Sequence, residues 1–366
     1  MTSQPFSRRS FMKAAAAAPA VAGQRVPVVS AVFPEAAFEV SLDPIRIVTR
    51  QAFTADEVER IRSATTVPVE IVICRSQEEF LARLPEAEVV YGSIRGQDLA
   101  RAPRLKWVQH GAAGVDFLID DPVFRDSPVV LTNQARTYAP GISETAMGLL
   151  LCLTRGIARY YLPSFLKGEW KPVGNPASDH HVELAGRTMG IVGLGGIGTW
   201  VARRAHFGFD MRIIATDAKP LPKPDFVAEL RDPGWFPQMV PQCDVLVAAA
   251  PLTPETRRMF NADVFRAMKK SAYFLALSRG ELFDDMALVQ ALQEGWIAGA
   301  GLDVFPQEPP PAGHPIFHCP NVVMTPHTSG WSPDRQIRMV GLFAENVRRY
   351  AAGLPLLNVV DKQRMY

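Results

Sequence analysis

Between Gly190 and Gly198 the chain reads Gly-Ile-Val-Gly-Leu-Gly-Gly-Ile-Gly, which sets Gly193, Gly195 and Gly198 in a Gly-x-Gly-x-x-Gly spacing. No other stretch constrains the fold as tightly. The apolar run Thr188 to Val192 in front of it reads as a strand, and Ile197, Val201 and Ala205 behind it recur at helical spacing. A tight strand-to-helix turn of this kind presents backbone N–H groups, here those of Gly196 and Ile197, to a pyrophosphate. Gly193 permits the turn, Gly195 the close approach of phosphates, and Gly198 the packing of helix on strand.

The next strand candidate, Met211 to Thr216, ends at Asp217, about 20 residues beyond the turn, where a carboxylate can accept from both hydroxyls of an adenosine ribose. The same carboxylate repels a 2′-phosphate. The expectation is therefore NAD(H) in preference to NADP(H), softened by Lys219 and Lys223 close behind.

The chain has 366 residues, enough for two domains, and its 48% hydrophobic and 21% charged composition is that of an ordinary globular protein. A formal charge of +2 with dispersed basic residues gives no footprint for nucleic acid. The N-terminus differs: Ser7-Arg8-Arg9-Ser10-Phe11-Met12-Lys13 precedes an alanine-rich run and Ala20-Val21-Ala22. That pattern reads as a twin-arginine export signal over residues 1–22, too short and mild to insert as a membrane helix, and predicts a periplasmic protein. Its removal would take away three cations and no anions, changing the charge from +2 to −1. Cys74, Cys152, Cys243 and Cys319 lie far apart without a C-x-x-C and read as buried free thiols.

After a proline-containing arm over residues 23–44, strand and helix candidates alternate: Ile45–Thr49, helix Ala55–Ile61, Val67–Cys74, helix Glu78–Leu84, Ala87–Tyr91, Leu105–Gln109 and Val129–Thr132. Such alternation indicates a parallel sheet covered by helices, an α/β fold. Ile142, Ala146, Leu149, Leu150 and Leu153 share one face of a longer helix that connects two domains, the stripe itself being core. The pair His180-His181 reads as solvated loop. Past the glycine turn come strand candidates Asp244–Ala249, Tyr273–Leu277, Ala298–Val304 and Asn321–Thr325, apolar enough to be buried on both faces, and a last helix Arg335–Ala351.

Three of these strand ends are followed by Arg279, Glu308 and His327. In an open parallel sheet that edge is where ligands bind, and the glycine turn lies on it too. The combination suits reduction of a 2-oxo acid. An imidazole can donate the proton the carbonyl oxygen needs, a carboxylate can stabilise imidazolium, and a planar guanidinium can pair with the substrate carboxylate. No metal is required.

From Ile45 to Asp361 the chain resembles the NAD-dependent D-2-hydroxyacid dehydrogenases, the family that includes phosphoglycerate dehydrogenase and glyoxylate/hydroxypyruvate reductases. The resemblance is carried by Gln109-His110-Gly111-Ala112-Ala113-Gly114-Val115-Asp116, Pro251-Leu252-Thr253-Pro254-Glu255-Thr256, Ser278-Arg279-Gly280, Gly301-Leu302-Asp303-Val304-Phe305 with Glu308-Pro309, Pro326-His327, and Asn358-Val359-Val360-Asp361. It implies two Rossmann-like domains with parallel sheets, the nucleotide domain (138–330) inserted into a discontinuous substrate domain (45–137 and 331–366). It also implies a homodimer, with the helix after Ile142 as the contact. His327 is similar to the family's acid/base, Glu308 to its paired carboxylate and Arg279 to its substrate-binding arginine. Pro251, Thr256, Leu277 and Asp303 are implied along the cofactor together with Arg279 and His327, Asp303 near the nicotinamide carboxamide. The Tyr91-Gly92-Ser93 turn is placed like the loop whose N–H groups hold the substrate carboxylate. His110 reads as a loop histidine lining or supporting the cleft, with a direct substrate contact as the alternative. Ala276, and Ala249-Ala250, depart from the family pattern where asparagine and histidine are common.

The expected activity is an NAD(H)-dependent interconversion of a small 2-oxo acid and a D-2-hydroxy acid. Two alternatives stand beside it: an NAD(H)-sensing binding protein without catalysis, and an exported oxidoreductase that keeps its dinucleotide permanently bound.

Overall fold

The computed structural model describes residues 43–170 and 181–364. The export signal and nearly all of the arm read from the sequence lie outside the described residues, as do His180 and the loop before it. Five strands build a first parallel sheet: β1 (Ile45–Thr49), β2 (Val69–Ile73), β3 (Val89–Tyr91), β4 (Trp107–Gln109) and β5 (Val130–Thr132), in the order β2-β1-β3-β4-β5. Seven build a second: β6 (Thr188–Val192), β7 (Arg212–Thr216), β8 (Glu229–Arg231), β9 (Val245–Ala248), β10 (Tyr273–Ala276), β11 (Gly299–Leu302) and β12 (Val322–Met324), ordered β12-β11-β10-β9-β6-β7-β8. Every neighbouring pair in both sheets is parallel, so each connection must cross over a face and cover it.

Most strands are shorter than their apolar runs. Leu277 and Val304 are 2% and 1% exposed yet lie just past the ladders of β10 and β11, because burial continues where strand pairing stops. The expectation of strands buried on both faces holds for β9, β10 and β11; β12, at the sheet edge, is only half-buried.

Helix α1 (Ala139–Thr154) lays Ile142, Ala146, Leu149 and Leu150 against Met189, Ile191, Val247 and Leu275 of the second sheet. Helix α2 (Gly196–Phe209) covers the same face through Val201, Ala202 and Ala205. The first sheet is covered instead by the C-terminal helix α3 (Pro333–Ala351), which Ser332 caps by accepting from the Arg335 N–H at 3.1 Å. Its Val340, Phe343, Val347 and Tyr350 pack on Ile45, Ile47 and Trp107. The chain thus returns, after completing the second sheet, to close the core of the first. All four cysteines are free thiols; Cys74, Cys243 and Cys319 are buried, whereas Cys152 is half-buried.

Candidate active site

The glycine turn sits at the switch point of the second sheet, with β7 on one side of β6 and β9 on the other. In an open α/β sheet, ligands bind outside the carboxyl ends of the strands at such a switch point. Gly193 takes φ +91°, and a Cβ on it would lie 2.7 Å from the Ala250 backbone, so the turn needs glycine for conformation and space alike. Gly195 has open space where a side chain would project. Helix α2 starts without a side-chain cap, which leaves the first-turn N–H groups of Gly196, Ile197 and Gly198 to solvent or an anion. Asp217, just past β7, accepts from the Leu194 N–H at 2.7 Å through Oδ2 and from the Lys219 N–H at 2.8 Å through Oδ1. Burial raises its pKa, and those two N–H groups and the Lys219 ammonium oppose the rise. An open glycine floor, an uncapped helix start and a carboxylate at the ribose position fit a dinucleotide. Thr256 braces the neighbouring loop, its hydroxyl donating to the Pro251 carbonyl at 2.8 Å. Leu277 has its side chain in the core and offers a ligand only backbone.

Two loops leaving the same edge bring His327 and Glu308 together. His327 has φ +53°, and its N–H donates to the Asp303 carbonyl at 2.8 Å, which turns the side chain back over the sheet edge. Its Nδ1 lies 2.7 Å from Oε2 of Glu308, while Oε1 of Glu308 accepts from the Phe305 N–H at 2.9 Å. A carboxylate only accepts, so Nδ1 carries the proton of the neutral ring and Nε2 is the nitrogen able to exchange one. The side chains are 47% and 38% exposed, open to a substrate and to solvent.

Asp303 is committed elsewhere. It is 3% exposed; its Oδ1 accepts from the Thr325 hydroxyl at 2.6 Å and from the N–H groups of Thr328 and Ser329, and its Oδ2 from the Ser329 hydroxyl. In this structure the carboxylate, implied by resemblance to lie near the carboxamide, organises the turn that carries His327.

Arg279 reaches out of the second sheet to a loop of the first. Its Nε and Nη2 both lie 3.1 Å from Oδ1 of Asp116, and Nη1 donates to the Ser278 carbonyl at 2.9 Å. Two of the five guanidinium N–H groups, on Nε and Nη1, are thereby engaged in hydrogen bonds, which leaves three for a substrate. A side chain on Gly114 would collide with this guanidinium, which gives the glycine of the Gly114-Val115-Asp116 motif a reason. Asp116 is the residue the sequence reading passed over: it stood inside a quoted motif, but nothing in the linear order pairs it with Arg279.

The substrate-loop expectation needs one correction. The Gly92 N–H donates to the Gln109 carbonyl at 2.9 Å, continuing the β3–β4 ladder by one residue, so it is not available to a carboxylate. The Tyr91 side chain is likewise withdrawn, 2% exposed and packed against Phe53 and Phe343. Ser93, exposed behind Gly92 with φ +127°, keeps its N–H without a partner among the described residues. His110 backs the loop, its Nδ1 3.1 Å from the Gly92 carbonyl and 3.2 Å from the Ser93 hydroxyl. In the other loop, His181 Nε2 lies 2.9 Å from the Tyr161 hydroxyl.

Residues 147–329 match the family model described as D-isomer specific 2-hydroxyacid dehydrogenase, NAD binding domain. The chain is 36% identical to a glyoxylate reductase of Korarchaeum cryptofilum over 72% of this chain and 78% of that protein. It is 33% identical to a glycerate dehydrogenase of Methylorubrum extorquens over 78% of this chain and 88% of the relative. Among solved structures, a D-isomer specific 2-hydroxyacid dehydrogenase from Xanthobacter autotrophicus in complex with NADPH and MES superposes with a TM-score of 0.72 at 27% identity, covering 88% of this chain and 99% of that one. With two parallel-sheet α/β halves, a nucleotide turn at the switch point and these relatives, the chain belongs to the D-isomer-specific 2-hydroxyacid dehydrogenases, oxidoreductases that interconvert 2-oxo and 2-hydroxy acids with a nicotinamide dinucleotide.

Proposed function

We propose that this chain reduces a small 2-oxo acid to the D-2-hydroxy acid, with His327 as acid/base, Glu308 as its orienting carboxylate, and Arg279 with the Ser93 N–H as the grip on the substrate carboxylate. The observation that carries the reading is the 2.7 Å contact between His327 Nδ1 and Glu308, which assigns the exchangeable proton to Nε2 on the ligand-facing edge of the second sheet. The bound dinucleotide supplies the hydride. The chain's own residues hold the acid by the remaining guanidinium N–H groups, polarise its carbonyl, and deliver a proton from His327 Nε2 to the oxygen as charge builds there. An acid/base pair has no use in a sensor, and relatives named as reductases favour catalysis over sensing.

NAD(H) is the preferred dinucleotide in this reading, supported by the half-buried Asp217 beside the glycine turn; the Xanthobacter structure, by contrast, was solved with NADPH. A homodimer is supported by the apolar surface beyond α1, where Ile157, Leu162, Phe165, Leu166 and Trp170 are 44%, 51%, 49%, 80% and 88% exposed. Twin-arginine export to the periplasm is supported by the Arg8-Arg9 motif and the alanine-rich run behind it. No helix of the described residues is long and apolar enough to cross a membrane. The test is a panel of glyoxylate, hydroxypyruvate, pyruvate and phenylpyruvate with NADH and NADPH, on protein checked for co-purified nucleotide. Turnover with NADH in excess of NADPH is expected; no oxidation of either with any of the four acids overturns the reading.

A further inference from the structure

The glycine turn carries no cation of its own. From Gly193 to Gly198 the residues are Gly, Leu, Gly, Gly, Ile and Gly, so the turn itself offers a pyrophosphate only backbone N–H groups and the positive end of α2. A cation is laid across that helix start from the connection between β5 and α1. A Cβ built on Gly196 would lie 2.8 Å from Cγ of Arg136 and 3.1 Å from both its Cα and its backbone N, so the arginine stem fills the space beside the first helical residue. Arg136 holds φ +73°, a left-handed conformation that costs any residue with a Cβ and persists only where the surroundings fix it. They do so here: Asn133 Oδ1 accepts from the Ala135 N–H at 3.0 Å, Asn358 Nδ2 donates to the Ala135 carbonyl at 2.9 Å, and the Ala139 N–H donates to the Arg136 carbonyl at 3.3 Å. The side chain beyond the stem is exposed. Its charge is felt at Lys219, whose pKa burial lowers, Asp217 and Asp361 raise, and Arg364 and Arg136 lower again. The Lys219 N–H in turn binds Asp217 at the ribose position. Arg136 thus touches the helix start with its stem and acts electrostatically beside the ribose carboxylate with its charge.

We propose that the Arg136 guanidinium pairs with the pyrophosphate of the bound dinucleotide, supplying from the connection between β5 and α1 the cation that the glycine turn lacks. The inference rests on the glycine turn being the dinucleotide site. A planar guanidinium suits the task, because it can meet two phosphate oxygens with two parallel N–H groups. Gly196 is then needed as glycine so that the arginine stem can cross the helix start. Arg136 follows β5 of the first sheet and precedes α1, which packs on the second. A dinucleotide held this way therefore also fixes the connection between the halves, on whose relation the Arg279–Asp116 pair depends.

The test is equilibrium binding of NADH, NADPH and adenosine, by calorimetry, to the full chain and two variants. Arg136→Gln keeps most of the stem and removes the charge, and its Kd for NADH should rise about 10–100-fold. Adenosine has the base and ribose but no phosphate, and its Kd should stay within about 2-fold of the parent value, which also shows that the variant is folded. NADPH should weaken by the same factor as NADH, because both carry the pyrophosphate. Arg136→Lys keeps the charge and loses the fork; its NADH affinity should lie between the other two proteins, and it supplies the same comparison on its own. An NADH Kd within about 2-fold of the parent in Arg136→Gln overturns the inference. So does an equal loss for adenosine in a folded variant, which would make Arg136 a residue that shapes the site, and so does a loss confined to NADPH, which would assign the guanidinium to the 2′-phosphate. None of these measurements uses a 2-oxo acid, so the inference can fail with the reductase reading intact, and the reverse.

Discussion

The site holds two pairs of a nitrogen side chain with a carboxylate, of different construction. His327 and Glu308 lie 19 residues apart on neighbouring loops of the second sheet, and their side chains are 47% and 38% exposed. Arg279 and Asp116 lie 163 residues apart, join the second sheet to a loop of the first, and are 25% and 27% exposed. The first pair is set by one sheet edge alone. The second exists only when both halves of the molecule are in register. In the proposed reaction, proton transfer is therefore a property of the nucleotide half, whereas grip on the acid depends on the relation between the halves.

The sharpest way to break that division is to remove the proton donor. His327→Ala should lower kcat by about 10²–10⁴-fold while dinucleotide affinity, measured by quenching of intrinsic fluorescence, stays within about 2-fold. Parent-level kcat in this variant would end the assignment of the acid/base. Arg279→Lys keeps the charge but loses the fork, and kcat/KM for the acid should fall about 100-fold. Asp116→Ala is the finer probe, because it leaves the guanidinium in place and removes only its orienting partner. KM for the acid should rise about 10-fold with kcat within about 3-fold. If kcat fell as far as KM rose, Asp116 would belong with the proton machinery and the two pairs would not be separable.

How much of this was legible in the sequence follows the same division. The second-sheet strands announced themselves as apolar runs, because both faces of most of them are covered, and the residues just past them could be read as site candidates. Strand β8 escaped notice because Glu-Leu-Arg at an edge, half-exposed, has no apolar signature. The helix Asp285–Gln293 escaped as well, although Asp284 caps it by accepting from the Ala287 N–H. Everything that depends on juxtaposition was hidden: the Asp116 partner of Arg279, the use of the Gly92 N–H in the ladder, and the engagement of Asp303 with the Thr325–Ser329 turn. Linear spacing encodes which residue types stand at strand ends. It does not encode how two sheets face one another or how far a ladder runs.

A smaller effect comes from Asp217, whose carboxylate belongs wholly to the nucleotide half. Asp217→Ser removes the charge that opposes a 2′-phosphate, and the NADH-to-NADPH ratio of kcat/KM should shift about 10–100-fold toward NADPH while KM for the acid is unchanged. A simultaneous rise in KM for the acid would mean that the halves communicate through the glycine turn, blurring the comparison.

The smallest expected effect tests whether the substrate half carries a stability cost of its own. Burial depresses the pKa of His110 in the folded protein relative to the ordinary value of about 6.5 in the unfolded chain. Below about pH 6.5 the unfolded state therefore binds a proton that the folded state refuses, and stability falls with pH through the window between the unfolded and folded pKa values, levelling off only beneath the latter. The sign is opposite to that of a histidine held by an ion pair. Other titrating groups are common to parent and variant, so the informative quantity is the difference between them. Thermal unfolding of the parent and of His110→Asn, followed from pH 7.5 to pH 5, should show the parent losing Tm more steeply as the pH falls. Parallel curves would mean that the ring charges as readily folded as unfolded, in which case the substrate half loses the feature that distinguishes it from the solvent-open pair at Glu308.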